Sequence, residues 1–174
     1  MDAPAKRLAS GDPAAFAALY DALADRLHHY LVAILGASAD ADDVLQETFI
    51  RLARNRERLG EVDDPTAFAF AVARNEARRW LDARRRRGAT TAVARDLFVE
   101  AGCDDAAARE AAEDAALALA ALGADDREIV ELKMFAGLTF REVGAVVGRP
   151  LGTVASRYRA ALDRMRDLLT RRGR

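Results

Sequence analysis

Apolar side chains recur every third or fourth residue along most of this chain, and this spacing constrains the fold more than any other feature of the sequence. The longest run, which includes Tyr20 and Leu27, begins behind Asp12-Pro13 and ends at Gly36. Aspartate followed by proline is typical of a helix start, and glycine of a helix end. Because runs of Val, Ile and Thr are almost absent, no sheet is expected. The sequence therefore predicts an all-α protein.

Two groups of helices are predicted, separated by a stretch with weak periodicity. In the first group the long helix is followed by a second helix that Ser38 can cap, by a polar loop over residues 56–66, and by a third helix from Ala67 to about Arg87. Between the groups acidic residues dominate, which is typical of a linker that could be partly helical. We expect two small helical domains over residues 1–87 and 114–174, joined by an acidic flexible linker over residues 88–113.

Four helices are expected in the second domain. Capping-box patterns, in which a polar residue is followed three positions later by an acid, occur at Asp125 with Glu128 and at Thr139 with Glu142. The last helix is expected to start near Leu151 and to continue to the C-terminal arginines. No internal repeat relates this domain to the first.

Positive charge is concentrated at two places, although the net charge is only −1. Seven arginines lie between Arg74 and Arg87 and eight between Arg149 and Arg174, while residues 96–114 contain seven acids. Two basic blocks that flank an acidic middle indicate nucleic acid binding at two separate sites. A compositional bias is the alternative explanation, because 25 of the 27 basic residues are arginine.

The segment from Gly137 to Arg159 has the pattern of a helix-turn-helix, in which Gly144 permits a close crossing of the helices. At about 100° per residue, Val154 and Tyr158 fall on the core side of the second helix. The polar side chains at its start point outward or lie just before it, where such helices contact bases and phosphates. These candidate DNA-binding residues are Arg149, Thr153, Ser156, Arg157 and Arg159. A helical hairpin with a solvated arginine face is the alternative.

Three segments occur in series: DADDVLQETFIRLAR (40–54), FAFAVARNEARRWLDARRRR (68–87) and LGADDREIVELKMFAGLTFREVGAVVGRPLGTVASRYRAALDRMR (122–166). In this order and spacing they resemble regions 2.2, 2.3–2.4 and 4 of the extracytoplasmic-function (ECF) sigma factors of bacterial RNA polymerase. The resemblance covers nearly the whole chain. It implies a transcription initiation factor that binds core polymerase, reads two promoter elements and helps to melt DNA.

The second helix carries the residues that the resemblance assigns to the polymerase. Six of its side chains are expected to face away from the core: Asp40, Asp43, Gln46, Glu47, Ile50 and Arg54. By resemblance this face binds the clamp helices of the largest polymerase subunit, and the polymerase flap is a further expected partner. The acidic residues of this face would complement the charge of a basic coiled coil on the polymerase. A solvated acidic helix start would explain Asp40 and Asp43 through the helix dipole, but not the apolar Ile50.

The third helix and the loop before it resemble the part of sigma factors that opens promoter DNA at the minus-ten element. By position, Leu59 lies in the loop that enters the separating strands, and Asn75 matches an asparagine that lines the pocket for a flipped base. Phosphate and base contacts are expected from Arg74, Arg78, Arg79 and Arg84. We expect Trp80 to pack in the core rather than to stack on a base.

The chain departs from the family pattern at two positions. Phe68 stands where relatives commonly have tryptophan, which is a tolerable apolar exchange. Ala155 stands where relatives commonly have a basic residue in the recognition helix, so the minus-thirty-five sequence that this chain reads is left open.

Other classes of function fit the sequence less well. A stand-alone helix-turn-helix regulator would not need the 40–54 segment. The adjacent His28 and His29 point in different directions, and no phosphate loop or nucleophile motif is present, so neither an enzyme nor a metal site or cofactor is expected.

The chain has neither a signal-peptide pattern nor an apolar span of membrane length, so we expect a cytoplasmic protein without membrane insertion. The resemblance also allows an anti-sigma factor as a partner. Cys103 is the single cysteine and is expected to be incidental rather than a redox sensor.

Overall fold

The structure, a computed structural model, describes residues 3–87 and 106–172. These residues form helices joined by short turns. The first half forms α1 (Ala3–Ala9), α2 (Pro13–Leu35), α3 (Ser38–Arg54), α4 (Arg56–Glu61) and α5 (Pro65–Arg86). The second half forms α6 (Ala106–Ala120), α7 (Ala124–Met134), α8 (Phe140–Val147) and α9 (Leu151–Arg172). The all-α prediction is confirmed for these residues.

Two Asp-Pro pairs start the long helices α2 and α5. The carboxylate of Asp12 accepts a hydrogen bond from the backbone N–H of Ala14, and that of Asp64 accepts one from Ala67, both at 2.9 Å. Proline follows at the first helical position, where its missing N–H would have no partner in any case. Helix α5 therefore begins at Pro65, two residues earlier than expected, through the same signal that correctly predicts α2.

The expected caps of two other helices are wrong. Ser38 does not cap α3, because the capping position is Ala37 and the hydroxyl of Ser38 lies 3.5 Å from Nε2 of His28. The capping position of α7 is Gly123, which has no side chain to offer. The side chain of Glu128 instead reaches across to another helix. The capping box of Thr139 with Glu142 at the start of α8 is confirmed.

Two short helices of the first half were not predicted. No helix was expected where α1 lies. Helix α4 occupies the first part of the segment 56–66, for which a polar loop was expected. Helices of this length are not stable alone in water. They are held because α1 packs against α4 and their side chains Leu8 and Leu59 are both buried in the main core.

The core of the first half lies between α2, α3 and α5. Leu27, Leu31 and Leu52 are fully buried there, and the rings of Tyr30 and Phe70 meet edge to face with centroids 5.6 Å apart. In the second half, α9 packs on α6, α7 and α8. The turn before α9 passes directly beside the buried Gly144, which confirms the close crossing expected at this glycine.

The two halves pack against each other through α5 and α8 and, to a smaller extent, through α2 and α7. Ile129, Leu132, Val143 and Val146 of the second half belong to the same buried cluster as Phe70 of the first. Burial of apolar surface is the main stabilising contribution to such an interface. The halves therefore share one continuous core.

Residues 106–113 of the expected linker lie in α6, whereas residues 88–105, including Cys103, lie outside the described part of the chain. The proposed domain limits remain a prediction. None of the helices in the described ranges is both long and apolar enough to cross a membrane.

Candidate functional site

The outer face of α3 carries the six residues that were assigned to a partner. Asp43, Gln46, Ile50 and Arg54 are exposed, as expected from helical spacing. The remaining two are half-buried and have partners within the protein. Oδ2 of Asp40 accepts a hydrogen bond from Arg84 of α5 at 3.0 Å, and Glu47 lies 3.2 Å from the guanidinium of Arg51.

Ile50 lies at an open groove between α2 and α3, with a volume of about 530 Å³. Its lining is largely apolar and consists of Tyr20, Asp42, Leu45, Gln46, Phe49, Ile50 and Ala53. Tyr20 is 47% exposed, and its ring packs in a tilted arrangement against that of Phe49, with centroids 4.6 Å apart. An exposed apolar groove with an acidic rim is typical of a surface that binds another protein.

Sequence reasoning missed Tyr20 as a groove residue. Helical spacing placed it with the buried residues of α2, but α3 covers only part of that side of the helix. The residue type is nevertheless a usable signal, because aromatic side chains with a polar tip are common at protein interfaces.

Helix α5 carries the first basic block, and most of its arginines already have acidic neighbours. Arg79 donates to Glu76 of the same helix at 2.7 Å, and Arg84 contacts Asp40 and lies 5.0 Å above the ring of Trp80. Trp80 is partly buried against the main core, as expected. Asn75, by contrast, is exposed on the outer side of α5.

Leu59 is not in a loop. It lies in α4 with its side chain fully buried, so in this conformation it cannot reach a DNA strand. The physical reason is the packing of α1 on α4, which makes the short helix part of the core. The role that the resemblance assigns to Leu59 remains a prediction, and it requires α4 to rearrange.

The start of α9 presents the candidate residues for duplex DNA. Arg149, Thr153, Ser156 and Arg159 are exposed, which matches the outward face expected from spacing. Ser156 donates to the carbonyl of Thr153 at 2.9 Å, within the helix. These side chains surround the entering end of the helix, where a helix-turn-helix meets base edges.

Two of the candidate arginines have acidic partners on α7: Arg149 donates to Oδ2 of Asp125 at 3.1 Å, and Arg157 is held by two aspartates. Nε of Arg157 donates to Oδ1 of Asp126 at 2.7 Å, and its Nη1 to Asp125 at 3.3 Å. Arg164 donates to the other oxygen of Asp126 at 2.6 Å. Burial alone would raise the pKa of Asp126, but the hydrogen bonds from Arg157 and Arg164 outweigh it and lower the pKa below its ordinary value.

A cluster of ionisable groups lies where the halves meet. Arg74 of α5 donates from Nε and Nη2 to the two carboxylate oxygens of Glu128 on α7, at 2.6 and 2.7 Å. This hydrogen bonding raises the pKa of Arg74. Burial raises the pKa of Tyr30 well above its ordinary value and that of Glu131 to about 8. One carboxylate oxygen of Glu131 is buried without a hydrogen bond in the described part of the chain.

Comparisons with known proteins identify the family to which this fold belongs. Family models for Sigma-70 region 2 and Sigma-70, region 4 match residues 19–87 and 118–167. The ECF RNA polymerase sigma factor SigL of Mycobacterium tuberculosis is 32% identical over 95% of this chain and 94% of its own length. SigE of Mycolicibacterium smegmatis, also an ECF sigma factor, is 32% identical over 94% of this chain and 66% of its own length.

Two solved structures share the fold at 24% identity. The sigma factor RpoE of Bartonella quintana, in complex with the anti-sigma factor NepR, gives a TM-score of 0.71 over 89% of this chain and 96% of its own. CnrH in complex with the cytosolic domain of CnrY gives 0.69 over 96% of this chain and 95% of its own.

The helical fold, the two basic helices α5 and α9 and the two matched regions together define the class of the protein, a transcription initiation factor. The chain belongs to the sigma-70 family, within its extracytoplasmic-function group. It is an alternative sigma factor that directs RNA polymerase to promoters for the initiation of transcription.

Proposed function

We propose that the outer face of α3 and the groove beside it dock on the clamp helices of the largest polymerase subunit. The observation that carries this proposal is the groove itself, which is lined by Phe49 and leaves Ile50 and Tyr20 exposed beside acidic residues. Apolar side chains in such a groove contribute affinity when they are buried, and the acidic rim would steer a basic partner. A contact of the second half with the polymerase flap belongs to the same proposal.

The minus-ten element is read by α5 in this proposal. Asn75 is exposed and its amide can hydrogen-bond a base edge, whereas Arg79 is exposed enough to meet a phosphate. Arg74, Arg78 and Arg84 would take part once their present acidic partners have been displaced. Leu59 would act only after α4 has opened.

The minus-thirty-five element is read by the entering end of α9. The exposed Arg149, Thr153, Ser156 and Arg159 are the side chains that can reach bases or phosphates in the major groove. Arg157 contributes mainly by holding α9 against α7, because its guanidinium already bonds Asp126. All five candidate residues are therefore kept, but Arg157 is expected to contribute less to DNA contact than the other four.

The protein acts by binding, without covalent chemistry or a cofactor, in the cytoplasm where polymerase and promoters are found. An anti-sigma factor is a further proposed partner, in keeping with the complexes in which related folds were solved.

Mixing the purified chain with sigma-free core polymerase and a library of promoter fragments tests the proposal. Co-elution with start-site-specific transcripts is the expected result, and it would also deliver the promoter sequence. Binding of duplex DNA by the chain alone, without any association with polymerase, would favour a stand-alone regulator instead.

A further inference from the structure

Two adjacent aspartates at the start of α7 bond arginines of the helix-turn-helix, and they differ in burial. The side chain of Asp126 is 12% exposed and accepts hydrogen bonds from Arg157 and Arg164 of α9, at 2.7 and 2.6 Å. The side chain of Asp125 is 56% exposed, and its Oδ2 accepts from Arg149 at 3.1 Å and from Arg157 at 3.3 Å. The buried aspartate holds α9 on α7, whereas the exposed one reaches the arginine at the entrance of α9.

The backbone of Arg149 is fixed on both sides. Gly148 before it has the left-handed conformation, with φ of 69°, and the ring of Pro150 after it restricts the chain that enters α9. The N–H of Arg149 donates to the carbonyl of Gly144 at 3.0 Å, and the carbonyl of Arg149 lies against the same glycine. Since Asp125 bonds the guanidinium, Arg149 is held both at its backbone and at the end of its side chain.

An arginine that is held in this way has already lost part of the freedom that binding would remove, so a directed contact costs it less. The carboxylate of Asp125 also offsets its positive charge. A phosphate attracts arginine largely through net charge, whereas guanine accepts two directed N–H bonds at O6 and N7 in the major groove. A guanidinium has further N–H groups besides the one that Asp125 accepts. The pairing therefore weakens attraction to phosphate more than it weakens recognition of guanine.

We propose that Asp125 is a positioning residue that makes Arg149 a reader of guanine in the minus-thirty-five element. Asp125 itself does not contact DNA. It aims the guanidinium of Arg149 at base edges and reduces its attraction to the phosphates beside them. This inference rests on the assignment of α9 to the minus-thirty-five element under the proposed function, and it adds the base that one side chain selects and the residue that enforces the choice.

Two simpler explanations of Asp125 account for less. An acid in the first turn of α7 suits the helix dipole, but this applies to Asp126 as well and explains none of the contacts with α9. A stabilising ion pair is the second explanation. Exposed ion pairs contribute little to stability, and the buried Asp126 already joins α7 to α9. The stability of the fold therefore does not require Asp125 to bond Arg149.

The test is a selection of promoter fragments by core polymerase with the full chain, from a duplex library in which the upstream element is randomised. The unchanged chain is expected to select a guanine at one position of this element. Arg149→Ala should lower the preference for that base by about tenfold, and Asp125→Asn by about threefold, because in the second variant the arginine remains but is no longer aimed. Asp125→Glu can still reach Arg149 and should retain most of the preference.

The double variant of Arg149→Ala with Asp125→Asn separates positioning from direct contact. If Asp125 acts through Arg149, its exchange should change the base preference no further once the arginine is gone. A further change of preference in the double variant would show that Asp125 acts on DNA by another route, and it would overturn the proposal.

Recovery of random fragments in the same selection gives a readout of opposite sign. Asp125→Asn is expected to recover about two- to threefold more of them than the unchanged chain, since Arg149 regains its net charge near the phosphates. Glu113→Gln, which removes an exposed acid on α6, is the matched control and should recover as many as the unchanged chain. Equal recovery by Asp125→Asn and the unchanged chain would contradict the effect on phosphate binding. Urea unfolding should give the same midpoint for Asp125→Asn as for the unchanged chain, whereas a purely structural role would lower it.

Failure of the proposed function would be visible separately. A chain that does not join core polymerase, or that shows no upstream base preference in any variant, would contradict the assignment of α9. An upstream preference that survives Arg149→Ala, with binding weakened equally for all sequences, would mark Arg149 as a phosphate contact and contradict only the present inference.

Discussion

The carbonyl oxygen of Arg149 approaches Gly144 so closely that a β-carbon on Gly144 would lie 2.7 Å from it. The first helix of the helix-turn-helix and the turn into the second thus meet backbone to backbone. This contact sets the distance between α8 and α9, the two helices of the helix-turn-helix that is expected to bind DNA.

Gly144→Ala should lower the free energy of unfolding by about 1–3 kcal/mol, the usual effect of overpacking, because a backbone atom cannot give way as a flexible side chain can. Gly152→Ala is the control, since a β-carbon there has no atom within 4 Å and should stabilise α9 by about 0.5–1 kcal/mol. Urea unfolding of both variants measures the difference. Equal stability of the two would mean that the turn before α9 can shift.

Arg157 and Arg159 are expected to respond differently to replacement by alanine. Arg157→Ala removes a hydrogen bond to the carboxylate of Asp126 and should cost about 1–2 kcal/mol of stability. Arg159→Ala should leave stability unchanged and alter the choice of upstream promoter sequence, because this side chain is exposed and, in the described part of the chain, bonds the carbonyl of Ala155 in its own helix. Thermal unfolding and a promoter-library selection, run on both variants, separate the two roles; altered selectivity in neither would remove both from the reading face.

Ile50→Lys should weaken binding to core polymerase by at least about tenfold, because a charge would be placed in an apolar groove that the partner is expected to fill. Ala22→Lys adds the same charge at an exposed position of α2 that does not line the groove, and it should bind normally. Competition against a labelled sigma factor provides the measurement. Normal binding by Ile50→Lys would show that the partner docks elsewhere.

Asn75→Ala should impair promoter opening while polymerase binding stays intact. The amide of Asn75 is exposed on α5 and can serve a flipped base, but it is not part of the groove on α3. Permanganate footprinting reports the opening, and co-elution reports the binding. A variant that loses both to the same extent would not support a role in base capture.

Glu131 should make stability fall as the pH rises. Burial raises the pKa of its carboxyl from the ordinary 4.5 to about 8, with Arg127 opposing and Glu128 reinforcing the shift. Between these two pKa values the folded chain therefore holds a proton there that the unfolded chain has released. The contribution of the protonated carboxyl to the free energy of unfolding is complete below about pH 4.5 and is lost as the pH rises through 8. Between pH 6 and 9, Glu131→Gln should flatten the decline in the urea midpoint, whereas Glu113→Gln should not. A parallel decline in all three proteins would mean that Glu131 is charged in the folded state.

Local chemistry predicted much of the fold. The Asp12-Pro13 start of α2 and the capping box of Thr139 and Glu142 were read correctly, because they involve neighbours in sequence. Helical spacing likewise placed Ile50 on the outside of α3. Helices α1 and α4 escaped prediction since neither is long enough to show a period, and each is stabilised by packing on the other.

The sequence predicted which residues belong to each site, but it did not predict which other residues of the chain they contact. The resemblance assigned Leu59 to a loop that enters DNA, and only the packing around it reveals that it is buried. Glu128 was read as a cap, because its true partner Arg74 is distant in sequence. Pairings of this kind depend on how the two halves meet, which no local pattern specifies.

The arginines of α5 have a consequence for binding measured at different ionic strengths. Of the seven in the basic block 74–87, six of which lie in α5, five lie within 4.0 Å of a carboxylate of the same chain: Arg74, Arg78, Arg79, Arg84 and Arg85. A cation that exchanges a carboxylate for a phosphate adds less to the net release of counterions than one that arrives from water. The affinity of this helix for DNA should therefore depend on salt less steeply than a count of its arginines suggests.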